Sequence, residues 1–258
     1  VSTVDTLPPD YGIDAPGVVR NLFLAGGAGV LLWASKALGW WAAAITIGPV
    51  RFELAPMGIT VGIACLAMGV WMVWTSKVGK IRERERLLDR IPWNGSERVL
   101  DVGCGRGLML VGAAKRLTSG KATGIDIWQS EDLSGNRPEA PLENARREDV
   151  ADRVEVKTAD MRQIPFPDAA FDAVVSCAAI HNLYAESDRA KAIHEIARLL
   201  KPGGHAVIDD IRHGREYAAA FRAAGCAKVE SVGSPAAAIL LGVLTWGSLR
   251  PATLVVRR

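Results

Sequence analysis

Hydrophobic and polar positions divide this chain into two differently patterned parts. Asn21–Val50 carries a single charge, Lys36, and Leu54–Ser76 carries none. About 20 apolar residues cross a bilayer's hydrocarbon core, so residues 18–76 are expected to form a two-helix transmembrane hairpin. The first span is placed near Val18–Trp40, with Lys36 snorkelling outward. Gly48–Pro56, holding Arg51, Glu53 and two prolines, is read as a short turn. Trp33, Trp40 and Trp41 suit a membrane–water interface. Beyond residue 92 the period changes. A short β-rich run, Val99, Leu100 and Val102, stops at glycine, and Leu108, Leu110, Val111, Ala114 and Leu117 then mark one apolar helix face. Ala122–Ile127 and Arg153–Thr158 read as further strands, and Ser187–Leu200 as a helix. Strands alternating with helices predict an α/β domain over residues 93–258.

Residues 99–107 read Val-Leu-Asp-Val-Gly-Cys-Gly-Arg-Gly. Glycines at a strand-to-helix turn let backbone approach a ligand closely, and the following helix start offers free N–H groups to an anionic group. A dinucleotide fingerprint requires G-x-G-x-x-G/A. Here Leu108 occupies the last small position and Asp101 lies inside the strand. The Asp-x-Gly-x-Gly-x-Gly pattern resembles motif I of class I S-adenosylmethionine (SAM)-dependent methyltransferases.

Other segments extend the resemblance over roughly residues 90–233. Asp126 ends the second strand nineteen residues past Gly107, where a carboxylate accepts ribose hydroxyls. Asp160 matches the acidic position facing the adenine amino group. Phe171–Ser176 resembles the fourth strand, and Leu199–Gly204 the turn before the fifth, His205–Ile211. The resemblance implies a Rossmann-like sheet of order 3-2-1-4-5-7-6 with the last strand antiparallel, the final two strands being Ala227–Val232 and Ala252–Arg257. It implies SAM as cofactor, bound by Asp101, Gly103, Cys104, Gly105, Gly107, Asp126, Ile127, Asp160, Met161 and Ser176.

A net charge of +3 argues against a dedicated nucleic-acid binder. Cys65, Cys104, Cys177 and Cys226 lack C-x-x-C or His-ligand spacing, so reduced thiols and no metal site are expected. Lys77, Lys80, Arg82, Arg84, Arg86 and Arg90 follow the second apolar segment, against Arg51 in the turn. The positive-inside rule then places residues 1–17 and the α/β domain in the cytoplasm, with the chain integral to the membrane (the inner membrane if bacterial). Residues 77–92 are read as a basic juxtamembrane helix with Val78, Ile81, Leu88 and Ile91 on one stripe. It either meets anionic lipid headgroups or serves as a solvated linker.

After the fourth strand comes Ala178-Ala179-Ile180-His181-Asn182. Loops at the carboxyl ends of parallel strands line the ligand crevice. His181 is therefore the catalytic candidate, as a neutral base for an acceptor's proton or as a histidine that orients the loop. His194 is expected to be structural, and His213, beside Asp209 and Asp210, is a weaker candidate. Residues 128–141 form either a lid over the adenosine side or a cap for the next helix through Ser134 or Asn136, the cap being favoured. Residues 235–249 are uncharged and too short to span, and suit an apolar excursion onto the bilayer.

These readings converge on a membrane-anchored methyltransferase acting on a lipid or other hydrophobic membrane-partitioned acceptor. Its partners are membrane lipids and a second copy joined through the hairpin. The alternatives are a methyltransferase of a soluble amine or thiol, and a non-catalytic cofactor-binding scaffold.

Overall fold

The computed structural model describes residues 7–40, 44–129, 133–233 and 249–258, with positions 239, 242, 243 and 245 between them. The chain forms two compact units. One comprises Gly12–Lys80 with Ser130–Ser134, and the other Ile81–Gln129 and Gly135–Arg258 with the segment ending at Tyr11. Trp41 and most of the 235–249 segment lie outside the described residues.

In the first unit, helix α1 (Pro16–Ala37) begins with proline in its first turn, where a missing N–H costs nothing. It ends at Gly39, whose φ of +73° suits glycine. Gly39 N–H donates to Lys36 O at 3.0 Å and Trp40 N–H to Ser35 O at 3.0 Å, the paired bonds of a Schellman stop. The helix therefore ends before Trp40, three residues short of the expected span end. Helix α2 covers Leu54–Trp74. At 1.5 Å per residue the helices are each about 32 Å long, long and apolar enough to cross a membrane.

The helices run antiparallel through their glycines. A Cβ on Gly29 would lie 2.3 Å from Gly58 O, and one on Gly26 would lie 2.6 Å from Leu66 Cγ. Backbones this close maximise dispersion contact, the device of helix pairs in lipid. Outward-facing Leu24, Leu31, Ile63 and Val70 are exposed.

Between the helices the structure corrects the expected short turn. Strands β1 (Ala44–Ile47) and β2 (Val50–Glu53) pair antiparallel around Gly48-Pro49. Gly48 has φ +59°, the sign that a two-residue hairpin turn uses at its first position. β-Branched Ile45, Thr46, Ile47 and Val50 favour strands. Lys36, in the last turn of α1, pairs with Glu53 at 2.5 Å. A π-helical turn, Thr75–Gly79, follows α2 and leads into α3 (Lys80–Leu88).

The second unit holds a seven-stranded sheet. Its strands are β3 (Arg98–Val102), β4 (Lys121–Asp126), β5 (Val154–Thr158), β6 (Phe171–Cys177), β7 (Leu200–Asp210), β8 (Lys228–Val232) and β9 (Ala252–Arg257). Their order is β5-β4-β3-β6-β7-β9-β8, and β9 runs antiparallel to both neighbours. Alternate residues serve opposite layers. Leu100, Val102, Val174 and Ile208 join the core that includes residues of α6 (Glu186–Leu199) and α7 (Gly214–Ala223). Val99, Val175 and Val207 join the core containing Leu87, Leu88, Leu110 and Val111, from α3 and α4 (Leu108–Ala114). Helix α5 (Glu139–Arg147) adds Ala145 to the second core. Strand β7 begins earlier than expected. Its register jumps from Phe171↔Leu200 to Ala173↔His205, and Gly203 and Gly204 bond to Arg258 across the excursion.

Two further expectations are corrected. Arg84 does not face lipid headgroups: it is 4% exposed and bonds to Glu85, Glu148 and the Tyr11 hydroxyl. Helix α5 has no side-chain cap. Ser134 Oγ instead accepts from Ile13 N–H, and Asn136 Nδ2 donates to Gln129 O.

The glycine contacts make a direct prediction. Gly29→Leu forces α1 from α2 and should cost about 1–3 kcal/mol, read as a lower thermal midpoint in detergent. Gly27→Leu should leave the midpoint unchanged, because nothing lies within 4 Å of a Cβ there.

Candidate active site

Three loops converge at the carboxyl edge of the sheet. The turn after β3 carries Gly103, Gly105 and Gly107 at φ +72°, +50° and +84°, a left-handed region that side chains disfavour. Gly103 and Cys104 N–H both donate to Ile125 O, and Gly107 N–H donates to Cys104 O at 2.7 Å. Crowding adds to the conformational demand. A Cβ on Gly103 would sit 2.3 Å from Ala179 Cβ and 3.5 Å from Met161 Cε. Gly103, Met161 and Ala179 therefore bring the loops after β3, β5 and β6 together.

Asp101 lies beneath this turn, 1% exposed. Neither of its carboxylate oxygens has a hydrogen-bond partner. Burial pushes the carboxyl up to about 8; the nearby Leu110 N–H offsets part of this, and the Asp126 charge adds to it. A buried, unpartnered carboxylate is costly without a compensating cation. Cys104 is also buried, and its thiol is pushed well up by burial, with Asp101 and Asp126 adding to the effect.

Asp126 accepts Gly105 N–H at 2.8 Å and Trp128 N–H at 2.6 Å. A carboxylate offers about four acceptor positions, so it retains capacity for hydroxyl donors. Ile127 beside it is half exposed. Asp160 is held by the Arg162 guanidinium at 2.6 Å, which keeps its carboxyl below the usual range. Ser176 is buried and donates to Val102 O at 2.8 Å, tying β6 to β3.

His181 lies on a 3₁₀ turn after β6, Ile180–Asn182. Its Nδ1 is 2.5 Å from Asp210 Oδ1, at the end of β7. Asp210 is 3% exposed. It also accepts His181 N–H at 3.0 Å, Ile211 N–H at 2.8 Å and the Tyr217 hydroxyl at 3.2 Å. Burial and the Asp210 charge raise the Tyr217 phenol, keeping it a donor. The Asp210 carboxylate facing Nδ1 can only accept, which assigns the proton to Nδ1 and leaves the Nε2 lone pair available. Sequence reasoning placed Asp210 near His213 and missed this pairing, which needs β6 and β7 side by side. His213 instead pairs with Glu216 at 3.2 Å, and His194 is exposed on α6 rather than structural.

A second missed set surrounds the glycine turn. Arg106 donates through Nε to Asp10 O at 2.7 Å and through a terminal nitrogen to Asp10 Oδ2 at 2.9 Å. Asn144 Nδ2 donates to both Asp10 O and Arg106 O at 2.9 Å. Tyr11 is buried and donates to Glu148 at 2.6 Å. The segment through Tyr11 thus clamps the turn that the three glycines form. Only the residue Arg106 hinted at this, because an arginine between two glycines is long enough to be held from outside.

Comparison with known proteins agrees with this geometry. Residues 100–208 match the family described as a methyltransferase domain. The 27-O-demethylrifamycin SV methyltransferase of Amycolatopsis mediterranei is 34% identical over 50% of this chain and 44% of its own. A ubiquinone/menaquinone biosynthesis C-methyltransferase of Geotalea daltonii is 32% identical over 48% of this chain and 50% of its own. The chain spans about half the length of these curated relatives. The structure of geranyl diphosphate methyltransferase in complex with SAM shares the fold, with TM-score 0.54 and 18% identity over 69% of this chain and 85% of that one. Over residues 100–208 the chain therefore matches a methyltransferase domain, and SAM is the cofactor that this match implies.

The His181–Asp210 contact predicts one dominant imidazole tautomer in ¹⁵N NMR, protonated at Nδ1 and bare at Nε2. Asp210→Asn should admit the other tautomer as a second population.

Proposed function

We propose that this methyltransferase is anchored in a membrane and methylates a hydroxyl on a hydrophobic, membrane-partitioned acceptor. The observation that carries the reaction is the His181–Asp210 pair at the carboxyl edge of the sheet, 2.5 Å apart. A hydroxyl attacks well only as its proton leaves, and an imidazole held in one tautomer is suited to take it.

The residues at the edge fit a cationic cofactor. Asp101, buried and unpartnered, supplies a negative charge toward the ammonium end. Gly103, Cys104, Gly105 and Gly107 offer close backbone. Asp126 and Ile127 hold the ribose side, Asp160 and Met161 the adenine side, and Ser176 supports β3 from below. Bound SAM supplies a methyl already activated on a sulfonium. The protein's task is then largely alignment and exclusion of water. His181 Nε2 receives the acceptor proton, Asp210 steadies the resulting imidazolium, and Tyr217 and Ile211 N–H hold Asp210 in place.

The membrane location is supported by α1 and α2, which pack on each other and turn apolar side chains outward. Two such helices would serve an enzyme whose acceptor resides in the bilayer. By their names, the relatives above act on 27-O-demethylrifamycin SV and in ubiquinone and menaquinone biosynthesis, which supports a lipophilic acceptor. Residues 77–92 would face the cytoplasmic leaflet, with exposed Arg82 and Arg90 available to anionic headgroups.

Incubating the full chain in vesicles with labelled SAM and a membrane lipid extract should move label into an organic-soluble product. His181→Ala should lower kcat by about 10²–10⁴-fold while leaving SAM affinity nearly unchanged. Equal turnover in the variant would remove His181 as the base.

Asp101 gives a pH test. With its carboxyl near 8 in the free domain, a bound cation favours the ionised form, so binding expels a proton near neutral pH. SAM affinity should then climb as pH rises toward 8 and flatten above it. Calorimetry in buffers of different ionisation enthalpy reads the released proton, and Asp101→Asn should abolish it. The raised carboxyl also means that the cofactor-free fold loses stability as pH rises through that range. The same substitution should therefore raise the thermal midpoint at alkaline pH.

A further inference from the structure

The β-hairpin between α1 and α2 has two chemically distinct faces. Directly paired residues of an antiparallel ladder share a face, as do alternate residues along each strand. The register Ile45↔Phe52 and Ile47↔Val50 therefore puts four large apolar side chains together, while Thr46, Arg51 and Glu53 occupy the opposite face. The apolar four are 50%, 42%, 66% and 50% exposed, in the order Ile45, Phe52, Ile47, Val50. Among the described residues of their own unit none buries them, and a two-stranded hairpin has no core of its own.

The hairpin is also held against the helix ends. Glu53 is both the last residue of β2 and the N-cap of α2, so no linker separates them. Glu53 pairs with Lys36 at the end of α1, and Arg51 pairs with Glu53 at 3.0 Å. These charges sit on or beside the polar face. The apolar face carries no charge that would have to be desolvated. Trp33 and Trp40 are exposed near the same end of α1, and indoles favour the interface between headgroups and acyl chains.

We infer that this hairpin is an interfacial membrane element: Ile45, Ile47, Val50 and Phe52 enter the boundary between headgroups and acyl chains at the end of the hairpin remote from residues 77–92, with Thr46 and Arg51 facing water. This rests on the membrane-anchored reading. The lipid of the same bilayer is the occupant, because the same unit exposes apolar side chains along α1 and α2 and two indoles at this end of α1. A β-ribbon lying there fixes the depth of both helix ends, where a simple turn would leave them free to slide.

The test uses the full chain with Cys65, Cys177 and Cys226 replaced by alanine, while Cys104, buried in the cofactor turn and shielded from the label, is kept; each variant is checked for retained SAM binding. Single cysteines replace Ile47, Phe52, Thr46, Arg51, Leu24 or Ile63 and carry an environment-sensitive fluorophore. The protein is reconstituted in phosphatidylcholine–phosphatidylglycerol vesicles containing lipids spin-labelled near the headgroup or at mid-chain. Positions 47 and 52 should be quenched by the shallow label several-fold more than 46 and 51, and positions 24 and 63 by the deep label. Quenching at 24 and 63 with none at 47 and 52, or equal quenching at 46, 47, 51 and 52, overturns the inference and leaves the anchor intact. No quenching at 24 and 63 overturns the anchor and the inference together. Fluorophore self-quenching at position 47 that grows with protein-to-lipid ratio, without lipid quenching, assigns the face to a second copy and overturns the inference.

Discussion

At Gly103 there is no room for a side chain: the methyl of Ala179 stands where a Cβ would be, 2.3 Å away, and the backbone turns at φ +72°. That close approach brings the end of β3 against the loop that carries His181. The turn's N–H groups reach Ile125 and Asp126 on β4, and the 3₁₀ turn begins one residue after Ala179. A bulkier residue would part the glycine turn from the loop that carries His181. The contact therefore couples two functions that the sequence holds almost eighty residues apart.

The electrostatics follow from the same packing. Three strands end close together, and Asp101 is left buried without a hydrogen-bond donor. Such an arrangement is costly in the free domain and becomes favourable when a cation arrives. Asp210, equally buried, is treated differently, because it is surrounded by donors and fixes an imidazole. One carboxylate has no hydrogen-bond partner and the other is already satisfied. The division suits an enzyme that must bind a sulfonium cofactor and separately accept a proton.

Much of the domain was legible from local pattern. The β-rich run ending in spaced glycines, and the acids at the ends of the next strands, specify turn chemistry that few folds share and carry the resemblance that implied the strand order. Asp210 was not legible as the partner of His181: the expected order already set their strands side by side, but the register at the strand ends decides which side chains meet. The hairpin at 44–53 escaped because an apolar run flanking Gly48-Pro49 reads equally well as the end of a span. Arg84 was counted by its charge among the cations of a helix that meets headgroups or solvent, yet its stem packs against Gly112 and its guanidinium meets Tyr11 and Glu148. Those partners lie far away in sequence. The cap expected from Ser134 or Asn136 failed for the same reason, as both side chains found other partners.

The central claim is that a base at the carboxyl edge delivers the methyl of SAM to oxygen on a lipophilic acceptor. Turnover with ¹³C-methyl SAM in vesicles, followed by carbon–proton correlation NMR of the organic-soluble product, tests it directly. A labelled methyl resonating as a methoxy group, coupled through oxygen to the acceptor's carbon, is the expected result. A labelled methyl bonded to carbon, nitrogen or sulfur, or one found only in the aqueous phase, would contradict it.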